Sequence, residues 1–204
     1  MGDVGRHFIH VVFQILNMIS KIILASQSPR RKQLLEWAEV PFEVLVSDAP
    51  ETYPTDLSFE EIAIHIARNK AQKVMEQHQP QLPVLAADTI VVCEGRIIGK
   101  PTDKADAISI IQFLSGKTHQ VITGVFVQFD KHSKSFADTT EVSFYPLTND
   151  QIEFYVDKYK PYDKAGAYAI QEWIGVVGIQ SIKGDFYNVM GLPVSKVVQL
   201  LAAE

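Results

Sequence analysis

Seven polar residues stand where otherwise apolar elements should stop, turn or bury their flanks: Arg30, Arg31, Glu51, Lys70, Asp88, Lys100 and Gln171. Four of them are cations and two are carboxylates. That set suits a polyphosphate carried with a divalent metal, because cations hold phosphate oxygens while carboxylates hold magnesium or activate water. The stretch Leu24-Ala25-Ser26-Gln27-Ser28-Pro29-Arg30-Arg31 reads as a strand ending in a polar turn, followed at once by a helix. Proline suits the first helical position, where its missing N–H would be unpaired anyway, and Ser28 is placed to cap the exposed amides. Free N–H groups, the positive helix end and two guanidinium forks favour an oxyanion there. A capped helix with two solvated arginines is the competing reading.

The carboxylates carry the same tension. Asp88, followed by Thr89, interrupts the most apolar run of the chain, residues 83–92. A carboxylate in such a run is costly unless it is paired, hydrogen-bonded or metal-bound, so a catalytic or metal role competes with a simple turn cap. Lys70 lies within a long helix, either solvated or turned into the cleft of the arginines. No GxxxxGK[ST] loop, GxSxG elbow or HExxH helix occurs, which removes P-loop nucleotidases, the usual serine hydrolases and zincins.

The elements that must position these groups follow from periodicity. Residues 22–25 and 42–46 read as strands, with a short helix over 29–38 between them. Residues 47–56 form a polar loop containing Asp48 and Glu51, and Ser58 with Glu61 is a capping box opening a helix to about Gln77. After the strand at 83–92, Glu94-Gly95 turns the chain into residues 96–98, and Gly99-Lys100-Pro101 leaves that hairpin in a stiff bend. Asp103 caps a helix to Leu114 closed by Gly116, and two long strands over 120–129 and 136–145 form an antiparallel hairpin. Thr148 and Gln151 box a helix to Lys158. Residues 162–171, with Asp163, Lys164 and Gly166 ahead of an expected apolar strand, return polar groups to the core, and the glycines at 175, 178, 184 and 191 punctuate the remaining strands and turns. Pro193 starts a last helix to Ala202. The pattern predicts an α/β domain with a mixed sheet.

Composition bounds the rest. The chain has 204 residues, 47% of them hydrophobic and 21% charged, as in an ordinary folded protein with one sizeable core. A net charge of -5 argues against a general nucleic-acid coat, so any phosphate should be held at a local basic pocket. The lone Cys93 lies in an apolar strand, which leaves no disulfide framework and fits a reducing cytoplasm. Residues 1–17 read as an N-terminal arm or an over-extended start, with Met18 as the natural first residue of a single domain over 18–204. The apolar stretch within that arm is too short to span a bilayer, and a signal anchor is the alternative.

The chain resembles the Maf family of nucleoside triphosphate pyrophosphatases, once described as septum formation inhibitors. The motifs run in family order: Ala25-Ser26-x-Ser28-Pro29-Arg30-Arg31, Ala67-Arg68-x-Lys70-Ala71, Ala87-Asp88-Thr89, Gly99-Lys100-Pro101, Ser115-Gly116-x-Thr118-His119, Asp163-Lys164-Ala165-Gly166-Ala167-Tyr168 and Gly191-Leu192-Pro193. The resemblance implies a mixed α/β sheet flanked by helices, largely antiparallel, with two lobes about a central cleft. It also implies Mg²⁺ or Mn²⁺ dependence, a homodimer and release of pyrophosphate from a nucleotide. Ala169-Ile170-Gln171 is similar to the branch that hydrolyses dTTP and UTP, as opposed to 7-methyl-GTP. The acidic loop is poorer in carboxylates than is usual in the family, leaving Glu51 its best match.

Roles follow as expectations. Water attacks the α-phosphorus in line; Asp88 is the general base or orients the water through the metal, and Glu51 shares metal binding. Ser26, Arg30, Arg31, Lys70 and Lys100 bind the phosphates, and the four cations neutralise the charge that builds in the transition state. Gln171 offers a donor and an acceptor to the N3–H and O4 edge of uracil or thymine, and Thr89 closes the base side or bonds the ribose. A non-catalytic nucleotide-binding regulator of cell division is the alternative from another class, disfavoured by carboxylates that a mere phosphate binder would not need.

Overall fold

The computed structural model describes residues 19–46 and 48–204. The expected arm, its start at Met18 and Ser47 of the acidic loop lie outside them.

Among the described residues seven strands form one mixed sheet: β1 (Ile22–Leu24), β2 (Phe42–Val44), β3 (Val84–Cys93), β4 (Arg96–Ile98), β5 (Thr118–Gln128), β6 (Ser133–Phe144) and β7 (Ile179–Lys183). The order is β2-β1-β3-β5-β6-β7, with β4 also paired to β3. β1 runs parallel to β2 and β3, and every other pairing is antiparallel. The helices are α1 (Pro29–Trp37), α2 (Phe59–His78), α3 (Lys104–Leu114), α4 (Asn149–Tyr159), α5 (Trp173–Gly178), α6 (Phe186–Met190) and α7 (Val194–Ala202), with a 3₁₀ turn at Ala165–Ala167. The mixed α/β architecture is the one the periodicity predicts.

Local chemistry explains most boundaries. Both capping boxes form: Ser58 and Glu61 bond each other's backbone at the start of α2, and Thr148 and Gln151 do so at the start of α4. α4 stops at Lys160, which adopts φ 46° just before Pro161. Buried on both faces, β3 alternates between two cores. Val84, Ala86, Ile90 and Val92 pack with α2, whereas Leu85, Ala87, Val91 and Cys93 join the larger core with α1, α3, α4 and α7. α2 lies so close to the sheet that a Cβ on Gly124 of β5 would stand 2.2 Å from the Ala63 carbonyl carbon.

The structure departs from the expected pattern over residues 169–191, whereas the last helix expected from Pro193 to Ala202 is present as α7. Where an apolar strand is expected after Gly166, the chain forms a turn, in which Glu172 donates its N–H to the Ala169 carbonyl, followed by the short helix α5. The cause is packing: at Gly175 a Cβ would meet the Ile170 carbonyl oxygen at 1.7 Å, so only glycine lets the chain fold back on itself here. α6, capped by Asp185, was likewise not anticipated. Among the described residues no helix is long and apolar enough to cross a membrane.

Candidate active site

One edge of β3 is shared by two strands that do not meet. β1 covers its beginning, where Ile23 and Leu24 pair with Val84 and Leu85, and Ala25 donates to the Leu85 carbonyl. β4 covers its end, from Val91 to Cys93. The edge between them carries Asp88 and Thr89, and a cavity of about 410 Å³ opens at that gap. Adjacent strand residues point to opposite faces, yet both line this cavity because the sheet is interrupted beside them. The site thus lies beyond the carboxyl end of β1, where the chain turns into α1.

α1 supplies one wall. Pro29 is its first residue, and the Ser28 hydroxyl accepts from the Arg31 N–H as a helix cap should. Arg31 is buried, and its guanidinium donates to the Gly191 carbonyl at 2.8 Å, Ser26 Oγ at 3.2 Å and Thr89 Oγ1 at 3.0 Å. Burial pushes the guanidinium below its usual value; the Asp88 and Glu51 charges oppose that and the Arg30 charge adds to it. Thr89 shares a hydrogen bond with Thr123, which donates to the Asn188 carbonyl, and Asn188 in turn donates to Thr140 Oγ1. A polar chain therefore runs from the cavity wall through β3, β5 and α6 to β6.

The opposite wall is built around an ammonium. Lys70 of α2 donates to Asp88 Oδ1 at 2.6 Å and to Glu51 Oε1 at 2.9 Å, and Lys100 reaches Glu51 Oε1 at 3.4 Å. Burial raises the Glu51 carboxyl, but the hydrogen bond and charge of Lys70, with Lys100 behind them, bring it net below its ordinary value. Glu51 is thus held ionised. The helix position that made Lys70 ambiguous in the sequence points it into the cleft.

A third side comes from the 3₁₀ turn and its approach. Asp163 accepts from Arg30 at 3.1 Å and from Lys164 at 2.7 Å, which lowers its carboxyl despite the opposing effect of burial. Tyr168 also lines the cavity, and its hydroxyl shares a 2.8 Å hydrogen bond with His119 Nε2. Val91, Val121, Val189 and Met190 make this part of the lining apolar, in contrast to the charged end. Asp163 and Lys164 were quoted within a sequence motif but given no role. Two adjacent opposite charges just ahead of a buried apolar stretch were the available signal.

Of the expected residues, Arg30, Arg31, Glu51, Lys70, Asp88, Thr89 and Lys100 all line the cavity. Ser26 stands behind it as an acceptor for Arg31 and for the Ser28 N–H. Gln171 is not brought to the cavity: it is exposed at the outer corner of the 169–172 turn, while its neighbour Ile170 takes the buried side. Base reading by Gln171 therefore finds no support in this arrangement.

The family model described as Maf-like protein matches residues 21–204. A protein of Bacteroides fragilis (strain YCH46) named dTTP/UTP pyrophosphatase is 49% identical over 182 residues, covering 89% of this chain and 94% of that one. A Porphyromonas gingivalis (strain W83) protein of the same name is 44% identical over 177 residues, covering 85% and 89%. Among solved structures, a HAM1 protein from Coxiella burnetii aligns with a TM-score of 0.47 at 18% identity, covering 90% of this chain and 99% of that chain. By its family match and by relatives this similar over most of their length, the chain belongs to the Maf-like family.

Proposed function

We propose that this chain is a nucleoside triphosphate pyrophosphatase that cleaves dTTP and UTP to the monophosphate and pyrophosphate. Its relatives bear the name dTTP/UTP pyrophosphatase, and the observation that supports the reading best is the Lys70 ammonium shared by Asp88 and Glu51 across a cavity from Arg30 and Arg31. Among the described residues the lining carries Arg30, Arg31, Lys70, Lys100 and Lys164 against Glu51, Asp88 and Asp163, a local excess of positive charge in a chain of net charge -5. That is the balance a polyanion requires.

In this reading the triphosphate lies between the start of α1 and the Lys70 cluster. Arg30 and Lys100 meet phosphate oxygens directly. Arg31, braced by Gly191, Ser26 and Thr89, presents a fixed charge whose orientation needs no reordering as negative charge moves toward the leaving pyrophosphate. Asp88, its Oδ1 held by Lys70, accepts the proton of the attacking water or orients that water. The apolar end beside Tyr168 and Met190 takes the base and sugar.

The resemblance also implies Mg²⁺ or Mn²⁺, and the residues fit. Two oxygen donors already converge on one cation, and among the described residues no group of three or more His, Cys, Asp or Glu forms a cage. Magnesium commonly takes one or two carboxylates and completes its shell with substrate phosphates and water. Asp88 and Glu51 would hold it, and it would supply charge neutralisation at the phosphates and a more acidic water. A homodimer in the cytoplasm completes this reading, and light scattering on the purified chain tests the assembly.

The deciding experiment incubates the chain with Mg²⁺ and a panel of UTP, dTTP, CTP, ATP, GTP and 7-methyl-GTP and measures pyrophosphate and monophosphate. UTP and dTTP should be turned over fastest. Equal rates with 7-methyl-GTP, or monophosphate absent throughout, would end the proposal.

A further inference from the structure

Lys164 is almost fully buried, lines the cavity, and is not explained by the roles given so far. An ammonium in such a place needs partners, and it has two: Asp163 Oδ1 at 2.7 Å and Glu172 Oε1 at 3.7 Å. They differ in kind. The Asp163 side chain is more than half exposed and also bonds Arg30, so it can exchange one cation-anion contact for another. The other carboxylate is anchored: Glu172 accepts from the Tyr155 hydroxyl, and that hydroxyl also accepts from the Ala169 N–H at 3.1 Å, with the Tyr155 ring fully buried in the main core.

The backbone around Lys164 is fixed with equal care. Gly166, at φ 72°, donates its N–H to the Gly99 carbonyl, which ties the 3₁₀ turn to the segment carrying Lys100. A Cβ on Gly166 would sit 3.1 Å from Val91 of β3, so the turn is seated on the cavity's own wall. Ala167 is held at φ 58°, a conformation that costs a non-glycine residue and persists where surroundings enforce it.

We propose that Lys164 is a further phosphate-binding residue of this site, and that Glu172, held by Tyr155, is the residue that positions it. The inference rests on reading the cavity as a triphosphate site. In the free protein Asp163 bridges Arg30 and Lys164 as an oxyanion would. A phosphate oxygen arriving between those two cations takes over both contacts as the Asp163 side chain turns to water, while Glu172 keeps the ammonium aimed inward.

Calorimetry with inorganic tripolyphosphate, without metal, tests the contact on wild type, Lys164→Met and Lys164→Arg. Lys164→Met should weaken binding by about tenfold or more, the scale of one lost charge-assisted hydrogen bond, and Lys164→Arg should recover most of it. Steady-state UTP hydrolysis by Glu172→Gln and Tyr155→Phe tests the positioning: KM should rise several-fold with kcat much less affected. A merely structural role would lower the melting temperature and leave KM of the folded enzyme unchanged, which overturns the positioning claim. Tripolyphosphate binding by Lys164→Met within about twofold of wild type overturns the contact. Should Lys164→Met fail to fold, Lys164→Gln carries the same measurement. Wild type that binds tripolyphosphate but hydrolyses no UTP defeats the proposed function while leaving this inference standing.

Discussion

The Lys70 ammonium stands 2.6 Å from Asp88 Oδ1, closer than to Glu51 Oε1 at 2.9 Å. The pair joins α2 to β3 from a residue that helical spacing left ambiguous and a carboxylate that burial made suspicious. Breaking it from either side should have different consequences. Asp88→Asn keeps size and hydrogen bonding but removes the charge, and should lower UTP turnover by about a hundredfold or more with the fold retained. Lys70→Met leaves Asp88 without its ammonium and Glu51 with only the longer Lys100 contact, so it should lose both activity and thermal stability. Turnover by Asp88→Asn within about tenfold of wild type would remove it as base, since that is only about 1.4 kcal/mol of barrier.

Glu51 should set part of the acid limit of the protein. Lys70 and Lys100 hold its carboxyl below the ordinary value of 4.5, so the folded state binds this proton less readily than the unfolded chain. Its contribution is present above pH 4.5 and is lost as pH falls through the lowered folded value. Glu51→Gln should therefore flatten the melting-temperature profile below about pH 4.5, with the difference shrinking in high salt because the side chain is half exposed. A profile parallel to wild type would show that the pair contributes nothing there.

A second acid-sensitive group lies in the core. His119 is buried between Phe144 and Tyr168, bonds the Tyr168 hydroxyl through Nε2, and has no partner for Nδ1 among the described residues. Burial lowers it from 6.5 to about 4. The unfolded chain then binds more protons than the folded one between those values, so stability falls as pH drops below 6.5 and levels off below about 4. At about 1.4 kcal/mol per pH unit the full effect is about 3 kcal/mol. His119→Gln should remove this slope, read from denaturant midpoints between about pH 8 and pH 4.

Packing at Gly124 makes a prediction free of charge. With the Ala63 backbone where a Cβ would stand, Gly124→Ala must push α2 off β5. Overpacking of this kind costs about 1–3 kcal/mol, or a fall of several degrees in Tm for a chain of this size. Because α2 carries Lys70, the Asp88 contact should loosen as well, and kcat should fall with Tm. Gly95→Ala, in open space though at positive φ, should affect Tm less and leave kcat unchanged.

Much of this architecture was readable because local rules and tertiary demands agreed. The capping boxes at Ser58 and Thr148, the proline at the start of α1 and the continuous apolar run of β3 each name an element. So did the burial penalty at Asp88. Residues 169–191 were not legible, because what decides them is contact across the chain. Gly175 closes on Ile170, and the buried side chain of Asn188 bonds β5 and β6. Neither leaves a periodic trace. The same region hid Glu172 and turned Gln171 outward, so the charged residues lining the cavity were more legible than the rest of it.

The adjacent arginines of α1 should respond very differently to lysine. Arg30 bonds only Asp163 among the described residues, at a partly exposed position, and a lysine can make one such contact from a flexible stem. Arg31 spreads over three acceptors on three segments: the Gly191 carbonyl after α6, Ser26 after β1 and Thr89 in β3. An ammonium is a point charge and cannot reproduce a planar fork. Arg31→Lys loses part of this fork, at a cost of about 1–3 kcal/mol, and loosens the junction between β1, β3 and α6. We expect Arg31→Lys to lower Tm and to reduce kcat/KM for UTP far more than Arg30→Lys, which should chiefly raise KM. Equal effects of the two substitutions would mean that the bracing of Arg31 contributes nothing to the site beyond its charge.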